Sequence, residues 1–546
     1  MNSASQGDEV LGLLVLAFEG RELPAGMQRR LTAAPAAGVT LFRYVNIGTP
    51  SEVRGLTDQL QRAAAARDAA AGGAAAHLPL LIAADQEGGQ LQGLGGATTP
   101  FAGNMAIGAV GDTALAERVG SATARELLAL GVNVAYAPVC DLATNPDNPA
   151  IGIRSFGDDP AAAGAMAAAV IRGLRAAGVA ATAKHFPGLG DVALDTHLAL
   201  ASTAHGRDRL ESVELVPFRA AIAAGVDLVM SAHLAVPALT GEASLPATLA
   251  REVMHDLLRT EMGFDGLSIT DALDMHAMAQ GGGQVLDVIA ALRAGVDLLL
   301  CAPDAAALER IEAGLRHAVG RRLIDGEGVR VSLARAAALR RRLAAATQPD
   351  LEVVGCVEHA RLARELAQRS ITLVRDEDGL LPLQLPPGSR IAAIMPTPRD
   401  LTPADTSSTV PAALADALRR HHGSVESFVT GQPPTDAEVA ALRAKARDFD
   451  LLLIGTISAS ADAAQATLVQ TLLSTGVPTV TVALRTPFDL GAYPASKTHL
   501  CTYGILRPTL DALADVLWGL IPPLGRLPAA VADLYPRGHG LTRLAN

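Results

Sequence analysis

Short apolar runs recur eight times in the first 301 residues of the chain, with Ala-rich stretches between them. The runs are Leu11 to Phe18, Gly38 to Phe42, Leu78 to Asp85, Val132 to Ala137, Val179 to Lys184, Val226 to His233, Gly266 to Asp271 and Val296 to Cys301. Intervening stretches such as Thr113 to Leu130 and Asp158 to Ala177 have the apolar spacing of helices. Alternating strands and helices favour a parallel sheet, and eight units predict an α/β fold with an N-terminal (β/α)8 TIM-type barrel.

A second domain is predicted beyond a short linker. Thr347-Gln348-Pro349-Asp350 interrupts the helical pattern with a proline and turn formers. We therefore expect a barrel over residues 1–346, a linker over 347–350 and a C-terminal α/β sandwich domain over 351–546, for which an open doubly wound sheet fits. The strands expected in that second domain are Ile371 to Val374, Ile391 to Met395, Leu451 to Ile454, Thr479 to Leu484 and Leu500 to Tyr503.

Charge and composition narrow the range of partners. A formal net charge of -11 argues against a nucleic-acid surface, because binding phosphates requires clustered Lys and Arg. No segment has the roughly 18 uninterrupted apolar residues of a membrane span, and the start of the chain, MNSASQGDEV, lacks the features of a signal peptide. We expect a cytoplasmic protein that binds neither nucleic acid nor membrane.

The four cysteines are predicted to be buried free thiols. They are far apart, have no CxxC spacing, and lie mostly at the ends of apolar runs. These residues are Cys140, Cys301, Cys356 and Cys501.

Polar residues fall at the predicted C-terminal ends of the barrel strands. Lys184 and His185 follow the small, partly β-branched run from Val179 to Ala183. Similar positions belong to Asp85-Gln86-Glu87, Asp141, Ser231-Ala232-His233 and Asp271. Because the loops at this end of a barrel carry its chemistry, the sequence predicts one shared site.

Two of these features match the needs of glycoside hydrolysis. Asp271 follows Gly266-Leu267-Ser268-Ile269-Thr270, so its carboxylate is held at a strand tip and suits a nucleophile. Asp195 and His197 stand two residues apart, and an aspartate can orient an imidazole that gives and takes a proton. A DxH triplet alone is more typical of a loop cap or a surface pair than of a catalytic dyad.

The motifs as a set resemble those of glycoside hydrolase family 3, in particular its β-N-acetylglucosaminidase branch. Lys184-His185-Phe186-Pro187-Gly188 with Asp195-Thr196-His197 resembles the signature KHFPGHG...D-S/T-H. The resemblance covers nearly all of the first domain. It continues through Asp85 to Gly89, Ala137 to Asp141, Ile151 to Phe156, Met230 to His233 and Gly266 to Met275.

The resemblance implies roles for the site residues. Asp271 would be the nucleophile that forms a covalent glycosyl-enzyme, and His197 the general acid/base with Asp195 as its partner. The residues implied to hold the hydroxyl groups of the terminal sugar are Asp85, Arg154, Lys184 and His185. A salt bridge that holds its loop is the alternative for Arg154, and a helix cap for Asp85.

Three other features carry less defined expectations. His233 is explained equally well as a buried histidine bonded to backbone or as a substrate contact. Glu87 is expected to be a structural residue. The second domain resembles the family at Ser370 to Val374 and Leu484 to Asp489. In the glucosidase branch that domain supplies a glutamate acid/base, which the dyad makes unnecessary here, so packing, rigidity or oligomer contact is expected instead.

The sequence departs from the family motifs at three positions. Leu189 replaces the second histidine of the loop signature, and Gln90 and Gly93 replace arginines that often follow the DQEGG motif. Loss of such donors can cost a few kcal/mol where it leaves a substrate acceptor unpaired, so recognition of the acceptor side or of an acidic peptidoglycan fragment is expected to differ.

The leading hypothesis is a retaining exo-β-N-acetylglucosaminidase that needs no metal or cofactor. It would act, as a monomer or homodimer, on small soluble glycans such as peptidoglycan or chitin fragments. One alternative is a phosphorylase, since a histidine acid/base repels phosphate less than a carboxylate does. The others are a sugar-binding protein without turnover and a metal-dependent hydrolase that would use the residues His185, His197, His233 and His276.

Overall fold

The computed structural model describes residues 7–70 and 78–543, and its first half is the expected parallel barrel. The eight strands are β1 (Leu14–Leu16), β2 (Gly38–Thr40), β3 (Leu81–Ala84), β4 (Val134–Ala135), β5 (Ala180–Phe186), β6 (Leu228–Ser231), β7 (Leu267–Thr270) and β8 (Leu299–Leu300). Neighbouring strands pair in the order β7-β6-β5-β4-β3-β2-β1-β8. A parallel bridge between Ile269 and Leu298 closes the ring, with the Thr270 N–H donating to the Leu298 carbonyl at 3.0 Å.

Helices surround the barrel and bury the outer faces of these strands. Asp112 and Asp159 cap two of them by accepting backbone N–H groups, which accounts for where those helices begin. The longer helices of this half are Ala25–Ala33, Pro50–Ala70, Asn104–Val110, Thr113–Ala129, Pro160–Ala176, Val216–Ala223, the π-helical Glu252–Glu261, Gln284–Ala294, Ala305–Gly320 and Gly326–Leu343.

Strand β5 is longer than the sequence predicts. The run predicted to form this strand ends at Lys184, whereas the strand continues to Phe186, so Lys184 and His185 both lie within its C-terminal part. The pairing of β5 with β6 shifts register between Ala183 and Phe186. An irregularity of this kind re-aims side chains in a strand, and here it lies where the polar residues occur.

The second half is an α/β unit around one six-stranded mixed sheet, so the expected C-terminal α/β architecture is confirmed. Its strands are β9 (Thr372–Asp376), β10 (Ile391–Pro396), β11 (Val425–Thr430), β12 (Leu451–Thr456), β13 (Thr479–Ala483) and β14 (Thr498–Cys501). They pair in the order β9-β14-β13-β12-β10-β11. The longer helices are Val357–Ser370, Asp436–Lys445, Ala463–Leu473 and Arg507–Leu517, with the short Leu414–Leu418 beside them.

Two details of this sheet differ from expectation. Strand β11 was not predicted, because it is an edge strand whose central residues are largely exposed, and an apolar run is absent there. Strand β9 runs antiparallel to β14, whereas the other pairs are parallel. An antiparallel edge strand on an otherwise parallel sheet is common in such folds.

Residues 347–350 between the two halves belong to neither helix nor strand. The domain boundaries at 346 and 351 stay predictions. The helix Val357–Ser370 follows the linker and packs on the barrel half, where the buried His359 contacts the carboxylate of Glu126 at 2.7 Å.

All four cysteines are free thiols; three are buried and Cys356 is half-buried. Within 7–70 and 78–543, none of the helices has both the length and the apolarity needed to span a membrane.

Candidate active site

A cavity of about 560 Å³ opens at the C-terminal ends of the barrel strands. It brings together six of the seven residues predicted for the site, and the seventh, Asp195, lies buried behind His197. The predicted residues in the lining are Asp85, Arg154, Lys184, His185, His197 and Asp271. Convergence of residues from strands far apart in the chain is what a closed barrel predicts.

A larger groove of about 930 Å³ lies at the opposite end of the barrel. Part of its charge is already neutralised, since Arg259 and Arg335 both form ion pairs with Asp297. The smaller cavity is therefore the better candidate, because its polar groups face open space at the end of the barrel where chemistry is found.

Asp271 directly follows β7, and its side chain is 18% exposed. The N–H of Ala272 donates to its Oδ1 at 2.8 Å, which fixes the orientation of the carboxylate. Burial alone would raise the pKa of Asp271, but the neighbouring imidazoles of His185, His233 and His197 lower it below its usual value. The group is thus kept ionised, as a nucleophile requires.

Asp195 and His197 form the dyad that the sequence predicts. The Nδ1 atom of His197 lies 2.7 Å from Oδ1 of Asp195, and the backbone N–H of His197 donates to the same oxygen at 2.9 Å. Burial would raise the pKa of Asp195, but these hydrogen bonds lower it. Because Nδ1 is engaged with a carboxylate, Nε2 is the ring nitrogen left to exchange a proton.

Lys184 lies on the floor of the cavity and is only 1% exposed. Its ammonium group is 2.6 Å from Oδ1 of Asp85 and 2.7 Å from Oε1 of Glu87. Burial would lower the pKa of Lys184, yet these two carboxylates raise it above its usual value. Asp85 is 27% exposed, so part of its carboxylate remains available to a ligand.

Glu87 also holds Arg154, by a bidentate ion pair with both distances at 2.9 Å. Arg154 therefore makes the salt bridge considered as its alternative role, and it also lines the cavity. Although burial favours the neutral form, the charges of Arg154 and Lys184 lower the pKa of Glu87 to about 2. The ammonium, guanidinium and carboxylate groups form one buried network beneath the cavity.

His185 is oriented by Asp141, a carboxylate that the sequence placed at a strand end without assigning it a role. The Nδ1 atom of His185 lies 2.6 Å from Oδ2 of Asp141, and its backbone N–H donates to the same oxygen at 3.1 Å. The other oxygen of Asp141 accepts the N–H of Leu189 at 2.6 Å. Leu189 thus serves through its backbone, and its side chain is buried in the core.

The other two departures from the family motifs have local explanations. A Cβ atom on Gly93 would lie 2.4 Å from the carbonyl oxygen of Asp85, so a side chain there requires a different backbone path. Gln90 donates from its side chain to the Ala404 carbonyl at 3.4 Å, and its backbone carbonyl accepts from Thr406. Gly93 thus lies directly against the backbone of Asp85, and Gln90 joins this side of the cavity to residues 404 and 406.

His233 is buried, with Nδ1 2.8 Å from the Thr248 hydroxyl and Nε2 3.0 Å from the Ala272 carbonyl. Of its two expected roles, the geometry therefore favours a histidine bonded within the protein. Burial lowers the pKa of His233. Among the described residues, the one cluster of three groups placed to hold a metal is Cys356, Glu358 and His359, so the four histidines proposed to converge do not form such a cluster.

Sequence reasoning missed two parts of the cavity wall. Arg43 and Tyr44 follow β2, and no charged run or known motif marked them. The second half of the chain contributes Pro403, Ala404 and Thr406, although its expected roles did not include a contact with the site.

Fold and cavity together define a (β/α)8 barrel enzyme that has a carboxylate and a carboxylate-imidazole dyad at its mouth. The N-terminal domain of glycosyl hydrolase family 3 matches residues 27–333. Beta-hexosaminidase A of Pseudoalteromonas piscicida is 31% identical over 93% of this chain and 91% of its own length. A beta-hexosaminidase of Stenotrophomonas maltophilia is 38% identical over 54% of this chain and 84% of its own length.

A solved structure of a glycoside hydrolase family 3 beta-N-acetylglucosaminidase from Paenibacillus has the same fold. Its TM-score is 0.89 at 34% identity, with 96% of this chain and 98% of that chain covered. The chain belongs to glycosyl hydrolase family 3 and is a glycoside hydrolase.

Proposed function

We propose that this glycoside hydrolase is a retaining exo-β-N-acetylglucosaminidase that removes terminal β-linked N-acetylglucosamine from small glycans. The observation that carries the proposal is the meeting of Asp271 with the Asp195-His197 dyad in one cavity. The family 3 relatives described above, named as beta-hexosaminidases and a beta-N-acetylglucosaminidase, support the choice of sugar.

In the first step, Asp271 attacks the anomeric carbon as the bond to the leaving oxygen breaks. His197 supplies the proton that this oxygen needs, and Asp195 stabilises the protonated imidazole beforehand. The product of this step is a glycosyl ester on Asp271 together with a free leaving group.

In the second step, the now neutral His197 takes a proton from water as the water oxygen attacks the anomeric carbon. The ester bond breaks, Asp271 regains its charge, and the sugar leaves with its original β configuration. One imidazole can act as both acid and base because its proton is lost in the first step and recovered in the second.

The terminal sugar is proposed to be held by four side chains of the cavity, those of Asp85, Lys184, His185 and Arg154. Charged donors and acceptors bind hydroxyl groups with defined geometry, and the buried network beneath the cavity keeps these groups in place. Fixed groups lose little entropy on binding, which favours one orientation of the sugar against Asp271.

The wider setting of the enzyme is also proposed. Peptidoglycan or chitin fragments are the substrates we favour, with action in the cytoplasm, as a monomer or homodimer, and without metal or cofactor. Besides the substrate and water, the catalytic steps assigned above use only side chains of the chain itself.

A product assay tests the proposed function. We expect the wild-type protein to release N-acetylglucosamine from an aryl β-N-acetylglucosaminide and from di-N-acetylchitobiose, and phosphate to leave the product unchanged. Proton NMR during turnover should show the β anomer first. Formation of the sugar 1-phosphate, or faster turnover of β-glucosides, would overturn the proposal.

The Asp271→Ala variant provides the matched control. We expect kcat to fall by on the order of 10³-fold or more while the melting temperature changes little, because the side chain makes few structural contacts. Unchanged activity in this variant would remove Asp271 from the mechanism.

A further inference from the structure

A loop of the second half, residues 400–408, reaches the mouth of the catalytic cavity. We call it the 400–408 loop. Its residues Pro403, Ala404 and Thr406 line the cavity together with barrel residues. It lies between strands β10 and β11 in the chain, so it is an extension of the C-terminal sheet that meets the barrel.

The loop is attached to the barrel at Thr406. The N–H and the hydroxyl of Thr406 both donate to the Gln90 carbonyl at 2.8 Å, and its hydroxyl accepts the N–H of Gln92 at 3.2 Å. At the rim, the hydroxyl of Tyr44 donates to Asp400 at 2.6 Å and lies 3.2 Å from Ser408. The loop therefore has fixed contacts with the barrel at two places.

The shape of the loop depends on a buried ion pair. Arg485 lies just beyond β13 and donates to Oδ2 of Asp405 at 2.7 Å, with the two side chains 5% and 0% exposed. The other oxygen of Asp405 accepts the N–H and the hydroxyl of Ser407, at 2.9 and 2.6 Å. Arg485 thus fixes the residue that precedes Thr406, although it does not itself line the cavity.

The depth of the cavity indicates which part of the substrate meets the loop. Lys184 at the floor is 1% exposed, whereas Tyr44 at the rim is 59% exposed. An exo-acting enzyme holds the terminal sugar at the closed end, beside the nucleophile, so the leaving group must point toward the rim. The 400–408 loop and Tyr44 lie on that side.

We propose that the 400–408 loop forms a wall of the leaving-group subsite and that Arg485 is a positioning residue for it. This inference rests on the proposed function. The loop selects among leaving groups, while the barrel residues bind the terminal sugar. Substitution of Arg485 therefore alters the discrimination between leaving groups more strongly than it alters the chemistry at Asp271.

The test compares two substrates with the same terminal sugar, di-N-acetylchitobiose and the small phenyl β-N-acetylglucosaminide. For Arg485→Met, we expect the ratio of kcat/KM for the disaccharide to that for the phenyl glycoside to fall about tenfold, mainly through KM. Arg485→Lys restores a cation opposite Asp405 and should recover part of the ratio. Thr406→Val, which removes no buried charge, should lower the ratio about threefold.

Arg420→Ala is the matched control, because Arg420 forms ion pairs with Asp511 and Asp515 elsewhere in the same domain. Its substrate ratio should equal that of the wild type. If Arg485→Met fails to fold, Thr406→Val and Tyr44→Phe decide the question through the same ratio. Equal losses on both substrates in all loop variants would overturn the inference while leaving the proposed function intact. Wild-type protein that hydrolyses neither substrate would overturn both.

Discussion

The Nε2 atom of His185 lies 3.9 Å from Oδ2 of Asp271. Burial would raise the pKa of Asp271, and His185 is the neighbour that lowers it most. The ionised state of the Asp271 carboxylate therefore depends in part on His185.

The His185→Gln variant should move the acidic limb of the kcat/KM profile to higher pH. His185 is the neighbour that most lowers the pKa of Asp271, so without it the pKa rises, because burial then acts with less opposition. A pH series of kcat/KM from 4 to 8 measures the limb of the free enzyme. An unchanged acidic limb would show that His185 does not control the ionisation of Asp271.

The Asp195→Ala variant should lose activity in proportion to the basicity of the leaving group. With di-N-acetylchitobiose we expect kcat/KM to fall about 10²- to 10⁴-fold, because the alkoxide leaving group needs the proton from His197. With a dinitrophenyl glycoside the loss in kcat/KM should be far smaller, since that group departs unprotonated. Equal losses on both substrates would argue for a structural role of Asp195.

Much of the barrel half could be predicted because its signals are local. Each short apolar run and each polar strand end lies within a few residues, and closure of the sheet then brings Lys184 and Asp271 together without further information. The dyad is likewise local, since Asp195 and His197 are two positions apart. Its meaning, however, came from the resemblance of the motif, because a DxH triplet alone is ambiguous.

The remaining contacts depend on residues far apart in the chain. Asp141 is 44 positions from His185, and Thr406 is 314 positions from Gln92, so no spacing rule connects either pair. Leu189 shows a different limit. The sequence indicated a lost side-chain donor, whereas the structure uses the backbone N–H, which every residue except proline possesses.

The Asp141→Asn variant should lower kcat/KM by about 10- to 100-fold. A neutral amide accepts the His185 Nδ1 proton more weakly than a carboxylate. Its nitrogen also cannot accept the one backbone N–H that each Asp141 oxygen accepts, from His185 or from Leu189. The double variant Asp141→Asn with His185→Gln should be little worse than His185→Gln alone. Additive losses would show that Asp141 acts through a group other than His185.

The Glu87→Gln variant should be less stable than the wild type at neutral pH and should lose this disadvantage in acid. Arg154 and Lys184 lower the pKa of Glu87 from 4.5 to about 2, so the ionised group contributes stability above pH 4.5 that disappears as the pH falls toward 2. Breaking one member of a buried network typically costs about 3–5 kcal/mol. Melting temperatures of both proteins from pH 7 to pH 3 measure the effect. A gap that stays constant over this range would mean that the charge of Glu87 does not stabilise the fold.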